Sequence, residues 1–393
     1  MLCVVVVCLL GAAKGAALAQ TSAPEGPEGS NFWRVPAQAP SAAKRGDILW
    51  ARARADAPAG SRGWNLIYVS ESATGTLVYV SGEIYVPQRS GPQGQRPLVV
   101  WNHGTAGSQD ACAPSRNNVY VDPGRTRVPG LESLLNRGYV VAMSDYQGLG
   151  TPGGAEYLDG PAQGRAALDV VRAARNFQPA GVSARVGMYG FSQGGQTALW
   201  AAHLASTYAP EVQLVGIVPV APAARHLDLS YYDLGIPQNS GYFISRMAGL
   251  AVGHPEVKLR DMLTPVGLEL LDVNTWGCYE IFARAAALKE PYAKREALEP
   301  GTAWRALLEA NDRFLPLPAT VPILILQGDR DVDVPVALTR ELRRDICVQK
   351  GQLDYREYPG VDHLGMNEQL APLIADWFEA RFRGAAARGN CSP

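Results

Sequence analysis

The spacing of apolar and polar positions changes period several times along this chain, and each change marks an element. Leu66-Ile67-Tyr68-Val69-Ser70 and the stretch 76–86 read as two strands folded back around Ala73-Thr74-Gly75, an antiparallel pair. Short and nearly continuous apolar runs follow at 97–104, 139–145, 185–189, 214–220 and 322–328. Between them, 131–137 (closed by Gly138), 164–175 and 196–202 carry apolar residues at helical spacing. Strands apolar on both faces, alternating with helices, predict an α/β fold with a mostly parallel central sheet covered on both sides. The leading hairpin adds a mixed edge. No internal repeat interrupts this rhythm.

The alternation fails between 223 and 318, where short helical pieces and the aromatics Tyr231, Tyr232, Tyr242 and Phe243 occur without a clear parallel strand. This stretch is expected to be a largely helical cap inserted into one α/β domain. The core then comprises 42–222 and 319–393. Residues 20–41, rich in Ala, Pro, Gly and Ser, are expected to form a flexible N-terminal arm. Residues 1–19 contain a nearly continuous apolar run over 1–13, interrupted at its end by Lys14, and then Ala17-Leu18-Ala19, the small-x-small pattern of a signal-peptide cleavage site. Export to an extracellular or periplasmic compartment follows from that reading.

Composition narrows the function classes. Among 393 residues, 36 Lys and Arg face 37 Asp and Glu, for a formal net charge of −1. That balance gives no basic field for nucleic acid and no polybasic patch for anionic membranes. Beyond the leader remain Cys112, Cys278, Cys347 and Cys391, an even number in an exported chain, which suggests two disulfides. Four cysteines allow three pairings, and spacing does not choose among them. Their wide separation argues against a metal knuckle.

Candidate chemistry centres on Gly190-Phe191-Ser192-Gln193-Gly194, at the end of a strand and the start of a helix-forming stretch. This G-x-S-x-G pattern predicts a sharp turn presenting the Ser192 hydroxyl above a sheet, as a nucleophile for acyl transfer. Such a serine needs a base and an acid to orient it, in the chain order Ser, Asp, His. Of five histidines, only His363 falls in a loop between the last strand (354–358) and the final helix. Asp331 fits the acid, in Gly328-Asp329-Arg330-Asp331-Val332-Asp333-Val334-Pro335, with Asp333 expected to cap the following helix and Asp329 to serve the loop. Two backbone N–H groups must face the oxyanion. Gln193 supplies one, and the loop His103-Gly104-Thr105-Ala106-Gly107 supplies the other, with Thr105 the first choice ahead of Ala106 and Gly107.

Taken in order, His103-Gly104-Thr105-Ala106-Gly107, Cys112-Ala113-Pro114-Ser115, Ser144-Asp145-Tyr146-Gln147-Gly148-Leu149-Gly150 and the 190–194 elbow resemble the secretory lipase family of fungi and bacteria, the lipase A type. The resemblance runs from about residue 32 to the C-terminus. It implies an α/β-hydrolase with a helical lid that hydrolyses triacylglycerols and simpler carboxylic esters. It also implies Ser192 as nucleophile, Asp331 as acid, His363 as base, and disulfides Cys112–Cys278 and Cys347–Cys391. The expected activity is ester hydrolysis through an acyl-enzyme, on a small-molecule ester or lipid substrate met transiently at lipid–water interfaces. Neither metal nor organic cofactor is required, and no obligate protein partner is evident. A peptidase or an acyltransferase of the same fold is the alternative, with a catalytically silent binding module as a third.

Overall fold

A computed structural model describes residues 23–89, 94–116, 128–271, 278–349 and 351–391. The expected leader, 1–19, lies outside the described residues. Among the described residues nine strands form one sheet: β1 (Ile48–Arg54), β2 (Ser61–Glu71), β3 (Leu77–Pro87), β4 (Arg96–Asn102), β5 (Val140–Ser144), β6 (Val182–Phe191), β7 (Gln213–Val220), β8 (Ile323–Gly328) and β9 (Leu353–Tyr358). Their order across the sheet is β1-β2-β3-β5-β4-β6-β7-β8-β9. β1, β2 and β3 pair antiparallel, β3 meets β5 antiparallel, and every pairing from β5 through β9 is parallel.

Parallel neighbours need crossovers, and these are α1 (Leu131–Asn136), α2 (Gly160–Asn176), α3 (Gln193–Tyr208), the cap and α10 (Val336–Val348), while α11 (Gly365–Phe382) joins no two strands. The helix α11 follows β9 and lies back on the sheet. Two buried clusters form the layers. One holds Leu98, Val100, Val186, Ile217 and Ile325 under α2 and α3. The other holds Val99, Val141, Tyr189, Val218 and Leu324 under Met366, Leu370 and Phe378 of α11. Successive residues of β4, such as Val99 and Val100, thus point to opposite cores, as strand geometry requires.

Between β7 and β8 lie α4 (His226–Asp233), α5 (Ser240–Gly253), α6 (Leu259–Met262), α7 (Pro265–Glu269), α8 (Glu280–Ala286) and α9 (Ala303–Ala310). They share a separate apolar cluster that includes Phe243, Met247, Leu250, Leu298 and Trp304. A buried ion pair joins α4 to α5: Arg246 Nη2 lies 2.8 Å from Asp233 Oδ2.

The sequence reading differs from the structure in two places at the N-terminal side. The expected flexible arm is docked: Ala51 donates to the Pro24 carbonyl at 2.9 Å, and Phe32 is buried against Ile67, Val69 and Tyr79. Burying Phe32 and Val35 offsets the ordering entropy that a Pro- and Gly-rich segment would otherwise keep. The other difference is β1, which sequence pattern did not mark. Its run Ile-Leu-Trp-Ala-Arg-Ala-Arg is half-buried at an edge, and pairing with β2 decides its conformation.

Candidate active site

The elbow follows from local sterics. β6 ends at Phe191, α3 starts at Gln193, and Ser192 between them has φ 56° and ψ −114°. A left-handed non-glycine residue stores strain, and such strain gathers where a side chain must be aimed. The turn is tight enough that a Cβ on Gly194 would overlap the Asn102 carbonyl oxygen, and one on Gly190 would overlap that of Gly194. Ser192 is held by its own N–H, donated to Val220 O at 2.8 Å, and by its carbonyl, which accepts from Ala223 at 3.1 Å. Gln193 is the first residue of α3, so its N–H has no carbonyl partner one turn back in the helix.

Asp331 and His363 meet at the ends of β8 and β9. His363 Nδ1 lies 2.7 Å from Asp331 Oδ2, and both residues are buried. The other carboxylate oxygen accepts N–H bonds from Asp333 at 3.0 Å and Val334 at 2.8 Å. With Nδ1–H donating to the carboxylate, Nε2 is left as the acceptor. Burial alone would lower the imidazole pKa; the neighbouring Asp331 carboxylate, aided by Asp333 and Asp362, outweighs it and holds it above 6.5. The His363 ring stands 4.6 Å from the ring of Phe191, which sets it beside the residue preceding Ser192.

Two expectations about the neighbouring aspartates separate here. Asp329 accepts from Gly360 N–H at 2.7 Å and so steadies the loop leading to His363. Asp333 does not cap α10: the N-cap is Pro335, without a side-chain cap bond. Asp331 takes the local N–H groups instead, which turns the chain before a capping carboxylate is in reach. Asp333 is half-buried, and desolvation raises its pKa despite the opposing pull of His363.

The loop after β4 carries Thr105, whose Oγ1 lies 2.7 Å from the Tyr157 hydroxyl. The same loop is tied to the cap by the Cys112–Cys278 disulfide. The second disulfide, Cys347–Cys391, fastens the C-terminal segment to α10. Thr105 also accepts at its carbonyl from the Tyr279 hydroxyl at 3.4 Å. Behind the loop, Asp145 accepts from Ser81 Oγ at 2.5 Å, from Ser115 N–H at 3.0 Å and from Ser115 Oγ. Tyr146, at φ 71°, donates to the His103 carbonyl at 3.0 Å.

Sequence reasoning missed several supporting residues. Gln327 donates to Asp331 Oδ2 at 3.0 Å while its own oxygen accepts from Thr339 at 2.8 Å. The available signal was one buried polar residue ending the apolar run Ile-Leu-Ile-Leu. Tyr157 carried no such signal. His203, His226 and His254 stay apart from the elbow. His203 lies near Pro316 O, His226 near Gln196 and His254 near Asp159.

A serine at a strained strand-to-helix turn, in a mostly parallel sheet with an Asp–His pair at later strand ends, defines the α/β-hydrolase class. A model of the secretory lipase family matches residues 128–263, a stretch that contains Ser192 but ends before Asp331 and His363. A secreted triacylglycerol lipase of Malassezia globosa is 28% identical over 66% of this chain and 57% of its own length. Lipase 10 of Candida albicans is 26% identical over 89% of this chain and 80% of its own length. The solved structure of Candida antarctica lipase A in its closed state superposes with a TM-score of 0.73, covering 89% of this chain and 85% of that one at 19% identity. The chain has the α/β-hydrolase fold, and it resembles the secretory lipases.

Proposed function

We propose that this protein is a secreted lipase or esterase that cleaves carboxylic esters, acylglycerols among them, by a Ser192–His363–Asp331 triad. The observations that carry this reading are the strained Ser192 at the elbow and the 2.7 Å His363–Asp331 pair, whose imidazole lies 4.6 Å from the ring of Phe191. Ser192 attacks the ester carbonyl while His363 Nε2 accepts its proton. The collapsing tetrahedral intermediate receives that proton on the leaving alcohol, and an acyl-Ser192 remains. Water then attacks the acyl carbonyl as His363 takes its proton, and His363 returns that proton to Ser192 Oγ as the Oγ–acyl bond breaks and the acid leaves. Asp331 fixes the tautomer throughout. The N–H groups of Gln193 and Thr105 are the proposed oxyanion donors.

Lipid esters are favoured by the cap as well as by the resemblance. An open groove of about 670 Å³ runs between the core loops and the cap, with Val252, Leu259, Leu270, Leu271 and Ile281 on its walls. Ser108, Gln109, Asp110 and Arg116 also line it, so the groove pairs an apolar wall that suits an acyl chain with a polar one. Ser192, Asp331 and His363 are not among its wall residues, so it lies outside the reacting centre itself. Export fits the expected leader and the two disulfides, which persist in oxidising compartments.

The test is a hydrolysis profile over p-nitrophenyl esters of rising chain length and a triacylglycerol emulsion, with wild type and Ser192→Ala. Loss of turnover by about 10⁴-fold or more in the variant is expected. Substantial retained activity excludes Ser192 as nucleophile. Parallel aminoacyl-amide and alcohol-acceptor assays separate a peptidase or an acyltransferase from a hydrolase of esters.

A further inference from the structure

Tyr157 lies near the end of the link 145–159 between β5 and α2, and it touches the loop after β4 through the 2.7 Å bond to Thr105 Oγ1. It is buried in a cluster with Ala223, Leu229 and Val334. Ala223 is the residue whose N–H holds the Ser192 carbonyl, and Val334 is one whose N–H holds Asp331. The cluster around this ring therefore joins the elbow, the acid loop and the Thr105 loop. Its backbone is fixed from the cap side, where α5 packs so closely that a Cβ on Gly249 would overlap the backbone of Tyr157.

The direction of the Tyr157–Thr105 bond follows from acidity. A phenol titrates near 10 and is a far stronger acid than an aliphatic alcohol, so in an O–H···O pair the phenol is the better donor. Burial raises the Tyr157 pKa above its ordinary value, so the phenol keeps its proton across the range in which ester hydrolysis operates. When Tyr157 donates to Thr105 Oγ1, the threonine proton is directed away from the ring. The accepted bond also polarises that hydroxyl, since chained hydrogen bonds strengthen one another.

We propose that Thr105 stabilises the oxyanion with its side-chain hydroxyl as well as its backbone N–H, and that Tyr157 is the positioning residue that orients and polarises that hydroxyl. The inference deepens the reading of Ser192 as nucleophile and rests on it. No bond to Tyr157 forms or breaks. The charge that develops on the carbonyl oxygen is met by a donor already held in place, the arrangement that gives such donors their effect.

The test is a double-mutant cycle on short-chain ester hydrolysis, with Thr105→Val, Thr105→Ser, Tyr157→Phe and Thr105→Val combined with Tyr157→Phe. Thr105→Val is expected to lower kcat by about 10²-fold with KM little changed, the loss seen for one oxyanion donor. Thr105→Ser, which keeps the hydroxyl, stays within about threefold of wild type, and Tyr157→Phe lowers kcat by about tenfold. Adding Tyr157→Phe to Thr105→Val then costs less than about twofold more, because the hydroxyl it acts through is gone. Affinity for a trifluoromethyl ketone, which forms a tetrahedral adduct, falls in step with kcat/KM across the series.

Thr105→Val near wild type, Thr105→Ser as poor as Thr105→Val, or a Tyr157→Phe loss repeated in full on Thr105→Val overturns the proposal. The Thr105 pair alone decides the hydroxyl's part should Tyr157→Phe not fold, as judged by thermal melting. Ser192→Ala serves as the parallel control. If it retains activity, the reading of the nucleophile has failed; if it is inactive while the Thr105 variants match wild type, only this inference has.

Discussion

The central sheet and the cap are held together by different physics. In the sheet, position follows from strand register: β6, β8 and β9 run parallel, so Ser192, Asp331 and His363 emerge at the same end although 171 residues separate the first from the last. Apolar burial on both faces fixes that register. The cap has no such ladder among its described residues. Its short helices are joined by a buried ion pair, by side-chain bonds such as Tyr292 O–H to Asp233 O at 3.1 Å, and by one disulfide to the core. The lesson is a division of labour. Rigid ladder-held elements carry the groups that need close placement, while the covering layer is held by its own apolar cluster around Phe243, Leu250 and Trp304 together with those polar links.

Substitution at Asp331 tests the first half of that contrast and carries the largest expected effect. Asp331→Asn should lower kcat/KM by about 10⁴-fold while leaving the sheet folded, because the wrong tautomer is favoured. His363 must be neutral to act as base, so activity rises as pH climbs through its pKa. The carboxylate raises that pKa above 6.5 in wild type. The acid limb of residual activity in the variant should therefore move to lower pH. A limb left unmoved would break the assignment of Asp331.

Next in size are the disulfides. They close separations of 166 and 44 residues, and a loop-entropy account assigns them about 5 and about 4 kcal/mol. Denaturant unfolding of Cys112→Ser/Cys278→Ser and Cys347→Ser/Cys391→Ser measures both. The first pair should also lower kcat, since Tyr279 beside Cys278 grips the Thr105 carbonyl. The second should leave kcat unchanged. Equal kinetic effects would erase the distinction between the two bonds.

Asp233→Leu tests the cap alone. It leaves Arg246 buried without its carboxylate, at about 3–5 kcal/mol. Amide exchange is expected to quicken in α4 and α5 before it does in β6. Exchange that quickens everywhere at once would mean that cap and sheet unfold as one unit.

The smallest effect concerns pH. His254, at the end of α5, lies 2.8 Å from Asp159 and 3.1 Å from Glu256. The bond to Asp159 raises its pKa above 6.5 against the lowering effect of burial. A raised folded-state pKa means stabilisation fully present below 6.5 and lost as pH rises through the folded value. Exchange at the C-terminal turn of α5 should quicken, beyond the intrinsic base catalysis of exchange, on going from mildly acidic to mildly alkaline conditions. In His254→Gln that additional dependence should vanish.

Much of this was legible in sequence because it is local. Gly190 and Gly194 mark a turn that only glycine permits, and the apolar runs before Ser192 and Asp331 announce buried strands. Gln327, Tyr157 and Asp145 act through partners brought close only by folding; Thr105 and Tyr157, for example, are 52 residues apart in sequence. The edge strand β1 and the docked segment around Phe32 were illegible for a related reason. Their conformation is imposed by β2 and β3, not by their own pattern. Asp333 misled because a carboxylate two residues before Pro335 has the look of a cap, while Asp331 had already turned the chain.

The bond between Cys112 and Cys278 has a mechanical consequence. It staples one point of the covering layer to the loop that follows β4, so the two cannot part there unless a covalent bond breaks. Elsewhere the same layer is fastened by links that are far easier to break, such as those by which Tyr232 and Asn239 donate to the Val332 carbonyl.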